Sequence, residues 1–313
     1  MPKRIPTSAK SHLSRETFVA QVVSCHGRHH FVRDESGKLY EAHRRGKKGD
    51  VVVGDTVVCS AAVDNTVAIE SIKERTSLLF RQDEWRTKTL AANIDTLVIV
   101  YASRPRFNPW FVWKALLAAH AARVHPVIIR NKTDLAEGAE EAARFLNSLK
   151  LLGYETHEIC AQTITAEALG ELDAIVNNHR SLLVGQSGMG KSTILNLLVQ
   201  NANAKTQEYS QALNLGRQTT TVTTLYDLDR SYGFVIDSPG FQEFGLAHLE
   251  LNEVIAAMPD IAQYVGGCRF ANCKHLKEPA CSVKRALQDG LIAQDRYDFY
   301  CAIAQTLENK STY

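Results

Sequence analysis

The chain lacks any apolar run long enough to cross a bilayer. Its longest uncharged apolar stretch lies near Leu97–Ala102, against the roughly 20 residues that a spanning helix needs. It also shows no secretion signal, because Met1-Pro2-Lys3-Arg4 is basic and no apolar stretch follows. The expectation is a cytoplasmic protein with no membrane partner. An excess of one charge sign is missing as well, with 36 Lys+Arg against 34 Asp+Glu. Of seven cysteines, Cys268, Cys273 and Cys281 cluster within 14 residues and the other four are scattered; in a cytosolic protein that reads as a metal site rather than a disulfide framework. Internal repeats and low-complexity tracts are absent.

What is present is ordinary core-forming composition, 45% hydrophobic and 22% charged, in 313 residues. That length allows two or three domains. The near-neutral balance hides an asymmetry, since residues 1–50 carry 11 Lys/Arg and 5 Asp/Glu. Such a segment is either a solvated tail or a surface for a polyanion.

Residues 16–74 read as short β-strands at Phe18–Val23, His30–Arg33, Lys38–Ala42, Thr56–Ser60 and Thr66–Ile72, separated by turn signals such as Glu35-Ser36-Gly37. Five short strands in this space predict a small barrel, with an OB-fold the leading choice. The turn His43–Lys48 places Arg44, Arg45, Lys47 and Lys48 on one loop. That loop reads as an RNA-binding grip on phosphates or as a charged hairpin tip.

The period then changes. Strands at Thr96–Tyr101, Pro126–Arg130, Ser181–Val184 and Phe234–Ile236 alternate with helices at Trp110–Val124, Ala139–Leu152 and Thr165–Asn177. This alternation predicts a mostly parallel, doubly wound α/β sheet. Residues 245–313 read as mainly helical. The last helix, Ala293–Leu307, puts Tyr297, Tyr300, Ile303 and Leu307 near one face, as core residues.

Three motifs carry chemistry. Gly185-Gln186-Ser187-Gly188-Met189-Gly190-Lys191-Ser192-Thr193 follows an apolar strand and opens a helix, the context a phosphate-cradling P-loop requires. Its glycines admit close backbone approach, and its N–H groups and helix N-terminus attract phosphate. Lys191 would reach the β- and γ-phosphates, and the Ser192 hydroxyl would hold Mg²⁺. Asn131-Lys132-Thr133-Asp134 ends an apolar strand and matches N-K-x-D. The Asp134 carboxylate can accept two hydrogen bonds from guanine, whereas adenine offers no donor there. Asp237-Ser238-Pro239-Gly240 matches D-x-x-G. Asp237 would hold Mg²⁺ through water, and the Gly240 N–H would sense the γ-phosphate. Among Thr219-Thr220-Thr221 one hydroxyl, assigned to Thr220, should complete the Mg²⁺ set. The guanine motif precedes the P-loop by 54 residues, the reverse of the ordinary GTPase order. The domain is therefore expected to be circularly permuted. Movement of the second switch near Gly240 would then pass directly into the C-terminal segment.

A fourth constellation, Cys268, Cys273, His275 and Cys281, lies within 14 residues. Three thiolates and one imidazole are an accepted closed tetrahedral set for structural Zn²⁺. Lys274, Lys277, Lys284 and Arg285 make its surroundings basic.

Barrel, permuted GTPase and C-terminal zinc segment together resemble RsgA, the ribosome small-subunit-dependent, circularly permuted GTPase family. The resemblance covers nearly the whole chain. It implies a multi-domain α/β protein: a flexible basic tail at 1–15, an RNA-binding OB-fold barrel at 16–78, a permuted GTPase domain at 79–244 and a mainly helical zinc-binding domain at 245–313. It implies GTP hydrolysis in late small-subunit biogenesis, with the small ribosomal subunit, its rRNA and GTP/GDP as partners of a monomer. Where the family usually has Gly-x-His-Thr-Thr-Thr, this chain has Gly216-Arg217-Gln218-Thr219-Thr220-Thr221. Gln218 cannot be a general base near neutral pH but can orient a water, and it is the catalytic assignment together with Lys191. Phe241, after D-x-x-G, cannot take that part. Cys160-Ala161 stands where the family has a base-supporting Ser-Ala pair. Trp113-Lys114 stands where it often has an acidic–basic pair. A GTP-switched RNA-binding module with negligible hydrolysis is the alternative that Gln218 keeps open. A P-loop kinase is the third reading, opposed by Asn131–Asp134.

Overall fold

The computed structural model describes residues 16–26, 29–44, 50–60, 63–82, 87–200, 202, 222–230, 232–238, 241 and 243–310. Five strands close on themselves near the N-terminus: β1 (Thr17–His26), β2 (His29–Asp34), β3 (Leu39–Arg44), β4 (Thr56–Ser60) and β5 (Thr66–Ile72). β1 pairs antiparallel with β2 and β4, β2 with β3, and β4 with β5, while β3 runs parallel to β5. That circuit is the OB-type barrel read from the sequence, and closure removes its free edges. Alternation does the rest: along β3, Tyr40 and Ala42 face the core while Glu41 and His43 face outward. A bulge between Val22 and Ser24 bends β1, so that one strand serves several neighbours.

The second layer is a parallel sheet in the order β10 (Glu155–Glu158), β9 (His125–Asn131), β8 (Thr96–Ala102), β11 (His179–Val184) and β13 (Gly233–Asp237). β8 is buried along its whole length, as a strand covered on both faces must be. β12 (Thr223–Asp227) adds antiparallel to β13, and its start also pairs with β1 through Ser24↔Thr224 and Cys25↔Thr223. Barrel and sheet are therefore one continuous run of strands.

Among the described residues, four helices accompany this sheet: α1 (Pro109–Ala122), α2 (Ala139–Leu151), α3 (Ala166–Val176) and α4 (Lys191–Leu198). α1 starts where Asn108 accepts a hydrogen bond from the Trp110 N–H and Pro109 takes the first turn. Thr165, read as the first residue of α3, is its cap and accepts from the Ala168 N–H.

Several strands went unanticipated. β6 (Leu78–Gln82), β7 (Thr87–Ala92) and β14 (Glu243–Phe244) form a separate three-stranded sheet. β10, with the sequence Glu-Thr-His-Glu, has no buried residue. A polar edge strand held by backbone pairing and by ion pairs such as His125–Glu155 and Arg130–Glu158 leaves no hydrophobic period to detect.

The C-terminal part contains α5 (Leu251–Ala256), α6 (Pro259–Ala262), α7 (Ser282–Gln288) and α8 (Gln294–Lys310). Phe299 of α8 packs its ring 5.5 Å from Trp110 and 5.3 Å from Trp113 of α1. Arg296 lies 4.9 Å over the Trp113 ring and donates to both Asp260 oxygens at 2.7 and 2.8 Å. Lys114 donates to Glu243 at 2.6 Å. The Trp113-Lys114 departure thus has a packing role: it ties α1 to the C-terminal helices and to β14. Asp260 and Arg296 are both buried, so removing one partner strands a charge. Asp260→Ala is expected to cost about 3–5 kcal/mol, read from the denaturant midpoint. A loss below about 1 kcal/mol would show that water reaches the pair.

Candidate functional site

Four segments leave the C-terminal ends of β9, β10, β11 and β13, the edge where open α/β sheets bind ligands. They are Asn131–Asp134, Cys160-Ala161, Gly185–Thr193 and Asp237. The order of motifs in the chain is reversed, yet the sheet brings them to one edge.

The P-loop needs its glycines for a steric reason. A Cβ on Gly185, at φ +158°, would lie 2.3 Å from the Val100 carbonyl oxygen. One on Gly190, at φ +95°, would lie 2.2 Å from the Asn131 amide nitrogen. Gly190 also caps α4 without a side-chain hydrogen bond, and no acidic residue sits in the first turn. The first N–H groups of α4 are thus available to an anion. Ser187, Gly188 and Ser192 are exposed there, Thr193 is half-buried, and Met189 anchors the loop in the core. Gln186 accepts from the Asn108 N–H at 2.7 Å, joining the loop to the start of α1.

Asn131 is buried, and both ends of its amide are engaged within the protein. Its nitrogen donates to the Met189 carbonyl at 2.9 Å, and its oxygen accepts from the Ala161 N–H at 3.0 Å. Asn131 therefore braces three motifs against one another. Lys132, at φ 59°, reaches across the loop and donates to the Gly188 carbonyl at 2.6 Å. Thr133 donates its N–H to Ile159 at 3.3 Å. Asp134 is exposed, and its carboxylate accepts from the Cys160 thiol at 3.0 Å. Cys160 thus does for Asp134 what a serine hydroxyl would do.

At the phosphate end, Lys191 donates to the carbonyls of Gly185 and Gln186 at 2.7 and 3.1 Å. Burial lowers its pKa, opposed by the charge of Asp237. Burial also pushes the Asp237 carboxyl up to about 6, opposed in turn by Lys191. A cation beside Asp237 and an anion beside Lys191 would each favour the charged form. The pair is suited to a magnesium–phosphate ligand. Lys191→Ala is expected to weaken GTP affinity by roughly 10- to 150-fold, the equivalent of a charged hydrogen bond of about 1.5–3 kcal/mol. Titration with a fluorescent GTP analogue measures it; unchanged affinity would remove Lys191 from the site.

Gln218, Thr219, Thr220, Thr221 and Gly240 lie outside the described residues, as do Arg45, Lys47 and Lys48. Arg44 ends β3 and is half-buried. Phe241 packs against Phe244 and Phe111, with ring centroids 4.8 and 5.9 Å away.

The second constellation is compact. Cys268 Sγ lies 3.4 Å from His275 Nδ1 and 3.9 Å from Cys281 Sγ, and His275 Nδ1 lies 3.4 Å from Cys281 Sγ. With Cys273, all four ligand atoms fall within 4.8 Å of one another. A tetrahedral ion with Zn–S near 2.3 Å and Zn–N near 2.0 Å would need edges of roughly 3.5–3.8 Å, so the set fits. Burial lowers the His275 pKa, favouring the neutral imidazole that ligates. Burial pushes the Cys273 thiol up to about 12, a penalty that a divalent cation reverses.

Sequence reasoning missed how this loop is held. The Tyr297 and Tyr300 hydroxyls donate to the His275 and Lys274 carbonyls, each at 2.7 Å. These two residues, read only as core, clamp the ligand loop with their polar tips. Their i, i+3 spacing was the available signal. Glu278 accepts from the N–H groups of Lys274, Leu276 and Lys277. Although burial opposes it, these donors draw its carboxyl down to about 2. No sequence pattern announces a turn of that kind.

Comparison with known proteins follows the same lines. The family model described as RsgA GTPase matches residues 72–247. The chain is 42% identical over 287 residues to the small ribosomal subunit biogenesis GTPase RsgA of Paraburkholderia xenovorans strain LB400, covering 90% of this chain and 91% of that protein. It is 44% identical over 282 residues to the protein of the same name from Bordetella pertussis strain Tohama I, covering 90% and 94%. Among solved structures, YloQ, described as a circularly permuted GTPase, superposes with a TM-score of 0.66 at 25% identity, covering 96% of this chain and 99% of that one. YjeQ from Thermotoga maritima superposes with a TM-score of 0.66 at 25% identity, covering 93% and 99%. From fold, motif order and these likenesses, the chain belongs to the RsgA GTPase family.

Proposed function

We propose that this protein is a GTPase of small ribosomal subunit biogenesis, that it binds the small subunit and its rRNA, and that GTP hydrolysis times its release. The observation that carries this reading is the meeting of a guanine-type carboxylate, Asp134, and a Lys191–Asp237 phosphate end on one sheet edge. In it, Asp134 accepts from the guanine ring, Cys160 and Ala161 support that end, and the loop Gly185–Thr193 wraps the phosphates with its N–H groups. Ser192, Thr220 and Asp237 would hold Mg²⁺, which neutralises charge on the β- and γ-phosphates. Lys191 stabilises the same charge, Gln218 orients the attacking water, and Gly240 senses the γ-phosphate. Cys268, Cys273, His275 and Cys281 hold one structural Zn²⁺. Arg44, Arg45, Lys47 and Lys48 of the barrel and the basic zinc segment contact rRNA phosphates.

This reading keeps the division into a tail (1–15), barrel (16–78), GTPase domain (79–244) and zinc domain (245–313), and a monomer in the cytoplasm. Two observations favour a second reading. Glutamine rather than histidine stands at Gln218, and Phe241 is packed among aromatic rings; both suit a GTP-switched ribosome- and RNA-binding module with negligible hydrolysis. Co-sedimentation with purified small subunits tests the binding half. Retention with a non-hydrolysable GTP analogue and release with GDP is the expected result. Equal retention in both states would remove nucleotide control of release.

A further inference from the structure

The barrel carries a second set of metal-type ligands, remote in sequence from the cysteine cluster. β2 and β3 are antiparallel, with His30 opposite Ala42. One step along, His29 comes opposite His43. Glu41, two residues from His43 on the same strand, shares its face. His30 and Ala42 turn into the barrel instead, where both are buried.

The three outward side chains converge. Glu41 Oε1 lies 3.2 Å from His29 Nδ1 and 3.3 Å from His43 Nε2. The two imidazole rings meet edge-on, with centroids 5.4 Å apart. All three ligand atoms fall within 4.8 Å of one another.

We propose that His29, Glu41 and His43 form a site for a borderline divalent transition-metal ion, of which Zn²⁺ is the type, on the outer face of the barrel. Metal–nitrogen and metal–oxygen bonds of about 2.0–2.2 Å set a tetrahedral ligand-to-ligand edge near 3.3 Å. Two of the three edges already have that length. The side chains are 51%, 35% and 47% exposed, so small rotations can close the third. Two imidazoles and one carboxylate select Zn²⁺, Ni²⁺ or Cu²⁺ over Mg²⁺, which prefers oxygen ligands and water. Three protein ligands leave at least one position to solvent, unlike the closed cysteine set. The ion would cross-link the ends of β2 and β3, and the metal would be exchangeable.

Zinc content of the full-length protein after equilibrium dialysis against excess Zn²⁺ tests this. Wild type is expected to hold two Zn²⁺ per chain, and His43→Ala and Glu41→Gln one each. His125→Ala, which alters an unrelated exposed His–Glu pair, should keep two. Zn²⁺ added to protein whose cysteine set is already loaded should raise the melting temperature of wild type but not of His43→Ala. GTP affinity equal to wild type reports that each variant is folded. One zinc in wild type, or two retained by His43→Ala, overturns the proposal.

Discussion

Asp134→Asn is expected to lower GTP affinity by roughly 100-fold or more and to raise affinity for xanthosine triphosphate. The carboxylate accepts two hydrogen bonds from guanine, each of the charge-assisted kind and worth about 1.5–3 kcal/mol. An amide replaces one acceptor with a donor, which would face the guanine 2-amino group. Xanthine carries an oxygen at that position, so the amide donor finds a partner. The Cys160 thiol, 3.0 Å from Asp134, has an acceptor in either case, so local structure should persist. Competition titrations with GTP, ATP and xanthosine triphosphate measure the exchange. Uniform weakening toward all three would mean that Asp134 holds the loop and does not read the base.

Zinc removal should have the other large effect. Structural zinc sites contribute on the order of 10–16 kcal/mol of apparent binding free energy, and that energy is folding energy. Cys273→Ser breaks the set, and the ligand loop loses the ion on which its thiols and buried imidazole depend. Phe299 and Arg296 would still pack on Trp113, so α8 should stay on α1 while the ligand loop opens away from the Tyr297 and Tyr300 hydroxyls. The expected outcome is a loss of one zinc per chain and of small-subunit association, with free GTP affinity within a few-fold of wild type. Metal analysis and co-sedimentation measure both. Intact association in Cys273→Ser would contradict the assignment of this segment as a ribosome contact.

These predictions rest on features that differed in how readable they were. β8 and β9 were evident because both faces are covered and the apolar run is continuous. The barrel was readable from five short strands separated by turn signals over residues 16–74. β10 was not, since its Glu-Thr-His-Glu sequence carries no burial signal, and β14, only two residues long, pairs with β6 far away in the chain. At the site, the P-loop and Asp134 announced themselves by spacing. The part played by Asn131 did not, because its two amide hydrogen bonds run to Met189 and Ala161, 58 and 30 residues away. The Trp113 ring packs against Arg296 and Phe299 from the distant C-terminal helix, a role its own sequence neighbours do not reveal. Such roles depend on which distant elements meet, and a motif contains only its own neighbours.

GTP turnover by the purified protein, measured with and without purified small ribosomal subunits, tests the central claim most directly. The account predicts slow turnover alone and strong stimulation by the subunit, lost in Lys191→Ala and reduced in Gln218→Ala. Tight GTP binding with no stimulation would contradict it, leaving a nucleotide-switched binding protein in place of a ribosome-activated GTPase.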